Sequence, residues 1–81
     1  MCKVIDMPKT GRRLRELCKE RRLTAKDIQR LLNLSSTRAV YDWFNGKTLP
    51  SIDNLYMLSD ILDIPMDEII VAGDDPDHTT G

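Results

Sequence analysis

The stretch LTAKDIQRLLNLSSTRAVYDWFNGK, Leu23 to Lys47, sets two short apolar stripes on either side of a polar turn. Ile28, Leu31 and Leu32 recur at the spacing that puts side chains on one face of a helix, and so do Val40, Trp43 and Phe44. Thr24, followed three residues later by Asp27, has the pattern of a capping box, and Asn33 supplies a stop. Beyond it Ser35 or Ser36 can cap a further helix, which Asn45-Gly46 ends, since both residues tolerate left-handed backbone geometry. Two helices joined by a turn of about four residues, the second entered through polar caps, form a helix-turn-helix pattern.

The flanks extend the same helical rhythm and carry no strand pattern. Upstream, Thr10 is the expected N-cap of a helix whose Leu14, Leu17 and Cys18 make one stripe, with Arg12, Arg13, Arg15 and Lys19 off it. Downstream, Ser51 caps a helix lined by Ile52, Leu55, Tyr56, Leu58 and Leu62. Pro65 can open a last helix carrying Met66, Ile69 and Ile70. The expected organisation is all-α: an arm at residues 1–9, a compact five-helix domain at residues 10–71, and a disordered acidic tail at residues 72–81 rich in Asp, Gly and Pro.

Composition narrows the class. Eighty-one residues make one domain with a small core and no room for a deep cleft. Cys2 and Cys18 are too few for a disulfide framework and belong to no zinc-ligand cluster, a usage that fits a reducing cytoplasm. No run is long enough to span a membrane, and the start MCKVIDMPKTG lacks the apolar core of a signal peptide. The formal charge of -1 conceals a strong pole. All twelve Lys and Arg lie in residues 1–47 with five acidic residues, a net of +7, whereas residues 48–81 hold eight acidic residues and no basic one. Such segregation turns the first half toward a polyanion and the second away from it.

On the helix after the turn, Val40, Trp43 and Phe44 point one way, and Thr37, Arg38, Tyr41 and Asp42 lie on the opposite or flanking surface. Arg, hydroxyl, carboxylate and phenol are groups that reach base edges or phosphates in a DNA groove. The bland readings are a packed Trp43, a buried and inert Cys18, and solvated charges at Arg12 and Lys47. His78, the only histidine, lies in the tail with no nucleophile or acid beside it in any motif.

The order from Leu23 to Ile70 resembles the lambda-repressor/Cro-type helix-turn-helix, also called the xenobiotic-response-element type. Leu23-Thr24, Asn45-Gly46-Lys47, Pro50, Asn54-Leu55, Leu58, Leu62 and Asp67-Glu68 stand at its hallmark positions, and the likeness covers about Thr10 to Val71. The resemblance implies double-stranded DNA binding and transcription regulation, repression above all, with Ser36, Thr37, Arg38, Tyr41 and Asp42 as base readers. It implies phosphate contacts from Thr24, Ala25 and Lys26 on one side and from Asn45, Gly46, Lys47 and Arg12 on the other. Ala25 stands where the family often has Gln. Phe44 stands where it has an acidic residue paired with a first-helix Arg, so an apolar contact with Cys18 is expected instead. The segment from Leu32 to Val40 is about one residue longer than the common pattern.

A homodimer is expected through helix five, with Ile69, Ile70 and Val71 as its apolar surface. No phosphate loop, metal cluster, catalytic serine elbow or ligand motif occurs, so neither catalysis, nor a cofactor, nor a small-molecule ligand is expected. The rival reading is a helical adaptor or antitoxin that grips a protein partner.

Overall fold

Five helices follow one another in the computed structural model, which describes residues 4–73. They are α1 (Met7–Glu20), α2 (Ala25–Leu31), α3 (Arg38–Phe44), α4 (Ile52–Leu62) and α5 (Met66–Ile69). Two-residue strands, β1 (Val4–Ile5) and β2 (Ala72–Gly73), pair antiparallel, with Val4 opposite Gly73 and Ile5 opposite Ala72. This strand pair is an addition to the all-helical reading, because two residues are too few to display an alternating pattern. Residues 74–81, which hold the rest of the expected acidic tail and His78, lie outside the described residues.

The start of α1 corrects the expectation of a cap at Thr10. Asp6, in extended geometry, accepts from the Lys9 amide at 2.9 Å, and Pro8 sits in the first turn where its missing N–H is not needed. Thr10 is one turn inside the helix and buried. Its hydroxyl accepts from the Val71 amide at 2.9 Å and donates to the Val71 carbonyl at 3.3 Å. The Asp6 amide donates to that same carbonyl at 2.8 Å. A threonine that reads locally as a helix start is thus satisfied across 61 residues, and it clasps the two ends of the domain.

The middle of the chain follows its local signals. Thr24 and Asp27 form the reciprocal box that caps α2, with the Asp27 amide 3.1 Å from the Thr24 hydroxyl and the Thr24 amide 2.9 Å from the Asp27 carboxylate. Asn33 takes a left-handed φ of 58°, which lets the Leu34 amide turn back to the Gln29 carbonyl at 2.9 Å. Thr37 is the residue before α3 and gives no side-chain cap; the Ser36 hydroxyl accepts from the Arg38 amide at 3.3 Å. At the other end Gly46 adopts φ 76° and the Lys47 amide bonds the Asp42 carbonyl at 2.9 Å. Ser51 caps α4 through the Asn54 amide at 3.2 Å. Pro65 stands just before α5 rather than inside it.

One core gathers Leu14, Leu17 and Cys18 from α1, Ala25, Ile28 and Leu32 from α2 and its end, Val40 and Trp43 from α3, Leu55, Leu58 and Leu62 from α4, and Ile69 from α5. Two faces depart from the periodic reading. Ile52 and Tyr56 share a helical stripe with Leu55, yet they are 74% and 69% exposed, because no element among the described residues covers that side of α4. Leu31 likewise ends on the surface of α2.

The axis of the fold is the crossing of α1 over the end of α3. A Cβ built on Gly11 would lie 2.2 Å from the Trp43 carbonyl oxygen and 2.6 Å from that of Phe44, so only hydrogen fits there. Gly46 is also tightly packed, with its Cβ position 2.7 Å from the Pro8 Cα. The two contacts fix both the end of α3 and the turn behind it to the first two turns of α1.

Candidate nucleic-acid interface

Burial of Val40 and Trp43 against α1 and α2 decides which side of α3 faces out. Arg38 and Tyr41 stand in solvent, Ser36 is exposed just before the helix, and Thr37 and Asp42 flank them half-buried. Tyr41 is 49% exposed and meets the Phe44 ring edge-on at 6.3 Å, a contact that fixes the direction of its phenol. The Arg38 side chain has no hydrogen-bond or ion-pair partner among the described residues; only its amide is engaged, by Ser36.

Phe44 packs half-buried against the core to which Cys18 belongs. The Arg15 guanidinium lies 5.4 Å from the Phe44 ring centre, a cation–π contact that replaces an ion pair with an aromatic face. Arg15 and Lys19 of α1, Thr24 and Ala25 at the start of α2, and Tyr41 of α3 line one shallow groove. The groove unites part of the base-reading set with part of the phosphate set. It also adds Arg15 and Lys19, which belong to neither set in the sequence reading. Their signal was available: they are four residues apart on one face of α1, off its apolar stripe.

The phosphate candidates divide by what their side chains do. Thr24 is exposed but already accepts a capping bond, Lys26 is exposed, and Ala25 is buried, so Ala25 offers only its backbone. Asn45 and Lys47 are exposed at the far end of α3, beside Gly46 on Pro8, and Arg12 is exposed next to Gly11. Asp27 is committed elsewhere. It holds the Thr24 cap and pairs with Arg30 at 2.6 Å, and these bonds pull its carboxyl below the usual range, the backbone bond from Thr24 most of all.

Cations are in excess over partners. Arg21 pairs with Glu20 at 3.7 Å, Arg30 pairs with Asp27, and the Arg13 side chain donates to the Glu68 carbonyl. None of Arg12, Arg15, Lys19, Lys26, Arg38 and Lys47 has a carboxylate within ion-pair distance among the described residues. Cys18 lies in the core behind the groove, and burial pushes its thiol up to about 11, against a smaller opposing pull from Arg21. Among the described residues no three His, Cys, Asp or Glu side chains gather as a metal site, and no helix is long and apolar enough to cross a membrane.

A pair of short helices, the second presenting free polar side chains between two cationic flanks, defines a helix-turn-helix DNA-binding domain. The helix-turn-helix family model matches residues 14–69, and the chain belongs to that family, in its lambda-repressor/Cro or xenobiotic-response-element branch of transcription regulators. Two solved structures are similar. One is the restriction-modification controller protein C.AhdI from Aeromonas hydrophila, 31% identical over 79% of this chain and 96% of that one, with a TM-score of 0.70. The other is a transcriptional regulator from Listeria innocua, 30% identical over 88% of this chain and 67% of that one, also with a TM-score of 0.70. No curated protein sequence gives a significant match.

Proposed function

We propose that this chain represses transcription by binding a specific double-stranded DNA site, with α3 laid in the major groove. The observation that carries the reading is the contrast along α3: Arg38 and Tyr41 are free in solvent, between cations on α1, α2 and the Asn45–Lys47 turn that have no carboxylate partner among the described residues. In this reading Arg38 donates two bonds to a guanine edge, and Tyr41, Thr37, Ser36 and Asp42 read neighbouring bases or their methyl groups. Lys26 with the amides at Thr24 and Ala25 grips one strand, while Arg12, Asn45, Gly46 and Lys47 grip the other. Arg15 and Lys19 extend the first grip along the groove that holds Tyr41. Repression follows from occupancy, since a bound domain excludes other proteins from the same groove.

A single α3 spans few base pairs, so the reading includes a homodimer on half-sites about 34 Å apart. Helix five alone is a poor contact surface, because Ile69 is 0% exposed. Met66 and Ile70 remain half-buried, and the exposed Ile52, Tyr56 and Met57 of α4 supply the apolar area that α5 lacks. The shared contact lies on α4 and α5 together, away from the cationic half.

Affinity for duplex DNA measured against potassium concentration tests the function. With four to six phosphate contacts per subunit, log affinity falls against log salt with a slope of about -4 to -5 per subunit. A flat line, with duplex and heparin both ignored, would favour the protein-binding adaptor. Sedimentation on a palindromic duplex tests the dimer: two chains per duplex are expected, and Tyr56→Lys reduces this to one.

A further inference from the structure

Leu14, Trp43, Leu55 and Ile69 wall a cavity of about 140 Å³ where α1, α3, α4 and α5 meet. All four are buried, whereas Ile5, Leu49 and Ile52, which also line it, are exposed and form its mouth. Two lining side chains carry a polar atom, the Thr10 hydroxyl, which is engaged by Val71, and the indole N–H of Trp43. Among the described residues no fully buried side-chain nitrogen or oxygen lacks a partner. A water needs two to four polar partners to occupy such a space, and a comparably sized apolar cavity engineered in another protein, about 150 Å³, stays dry and takes up benzene. Here the indole of Trp43 adds a flat aromatic wall, against which a second ring packs offset or edge-on.

We propose that this cavity is a binding site for a compact, uncharged, single-ring aromatic molecule of benzene to toluene size. The apolar mouth admits it without unfolding the domain, and the Thr10 hydroxyl keeps its bonds to Val71 when the guest arrives. The cavity lies on the core side of Trp43, opposite Arg38 and Tyr41, and shares Ile52 at its mouth with the proposed dimer contact. A guest held only by the folded chain multiplies the folded-to-unfolded ratio about elevenfold when its free concentration is ten times Kd.

Titration of the full chain with toluene, followed by Trp43 fluorescence, by methyl NMR and by the thermal midpoint, tests the proposal. The expected result is a saturable response confined to Trp43 and to the methyls of Leu14, Leu55 and Ile69, with a rise in midpoint. Leu55→Phe fills the floor and is expected to abolish binding. Leu49→Phe, at the exposed mouth where folding is not at risk, is expected to weaken it at least fivefold. Absence of a saturable response up to the solubility limit overturns the site, as do shifts centred on Tyr56 and Met57 or an affinity unchanged in both variants. Toluene affinity that falls as protein concentration rises would give the cavity to a side chain of a second copy, and would likewise overturn the small-molecule assignment.

Discussion

Gly11→Ala is the sharpest perturbation of the crossing between α1 and α3. In a helix interior the change from Gly to Ala is favourable by about 1 kcal/mol on propensity alone. At this position the new Cβ would lie 2.2 Å from the Trp43 carbonyl oxygen, 2.6 Å from the Phe44 oxygen and 2.9 Å from the Phe44 carbon. All three are main-chain atoms, so no side chain can swing aside, and α1 must withdraw by about 1 Å. A gap of that size forfeits a quarter to a half of each contact it opens, and Leu14, Leu17 and Cys18 face the core across that boundary. Overpacking of this kind costs typically 1–3 kcal/mol. With main chain as the obstacle the upper end applies, and a net loss of about 2 kcal/mol remains after the propensity gain. For a domain this small, that lowers the midpoint by about 8–16 °C. Urea unfolding followed by the fluorescence of the single tryptophan measures it. Gly73→Ala is the control, because its Cβ would meet nothing closer than 3.4 Å and stability should hold. A Gly11→Ala chain as stable as the parent would refute the close crossing.

Three further outcomes follow from single residues. Arg38→Ala is expected to cost about 1–3 kcal/mol on the cognate site and to relax specificity at one base pair, whereas Lys47→Ala weakens all sequences alike; binding measured on a panel of mutated sites separates them, and equal uniform losses would make Arg38 a phosphate contact. Thr10→Val keeps shape but strands the part-buried Val71 amide, while the Val71 carbonyl retains its bond from Asp6, so a loss of about 1–3 kcal/mol in urea is expected. In a Cys2→Ser background at pH 8, Cys18 should react with iodoacetamide about a hundredfold more slowly folded than unfolded, because its raised pKa of about 11 leaves little thiolate. The sign for stability is that the folded thiol keeps its proton while the unfolded one, near 9.0, loses it, so stability is intact below pH 9 and declines from pH 9 through 11. Equal labelling rates or a flat stability profile over that window would remove the buried thiol.

Local chemistry made the centre of the fold legible. Thr24 with Asp27, Asn33, Asn45-Gly46 and Ser51 each act on backbone groups within a few residues, and each ends or begins a helix where the sequence places it. Thr10 misled for the converse reason, since its partner Val71 is remote and no local rule distinguishes a capping hydroxyl from one that crosses the domain. Asp6 with Pro8 was the better local signal. Ile52 and Tyr56 continue the helical stripe of α4, but periodicity reports an apolar face without saying whether this chain covers it. At the interface, the sides of α3 followed from where Val40 and Trp43 must go. Arg15 over Phe44 did not, because a cation–π contact obeys neither the apolar nor the ion-pair pattern.

The clasp of Asp6 and Thr10 on Val71, with Val4 paired to Gly73, brings the two ends of the domain to one point. Val4 and Gly73, the first and last described residues, therefore stand side by side, as at the knot of a closed loop. Such a domain could be set into a surface loop of another protein without prying its host apart, a property shared by folds with adjacent termini. Mechanical tension between its two flanks would fall first on the paired strands and the Thr10 bond. The helices would feel that pull only after the knot had opened.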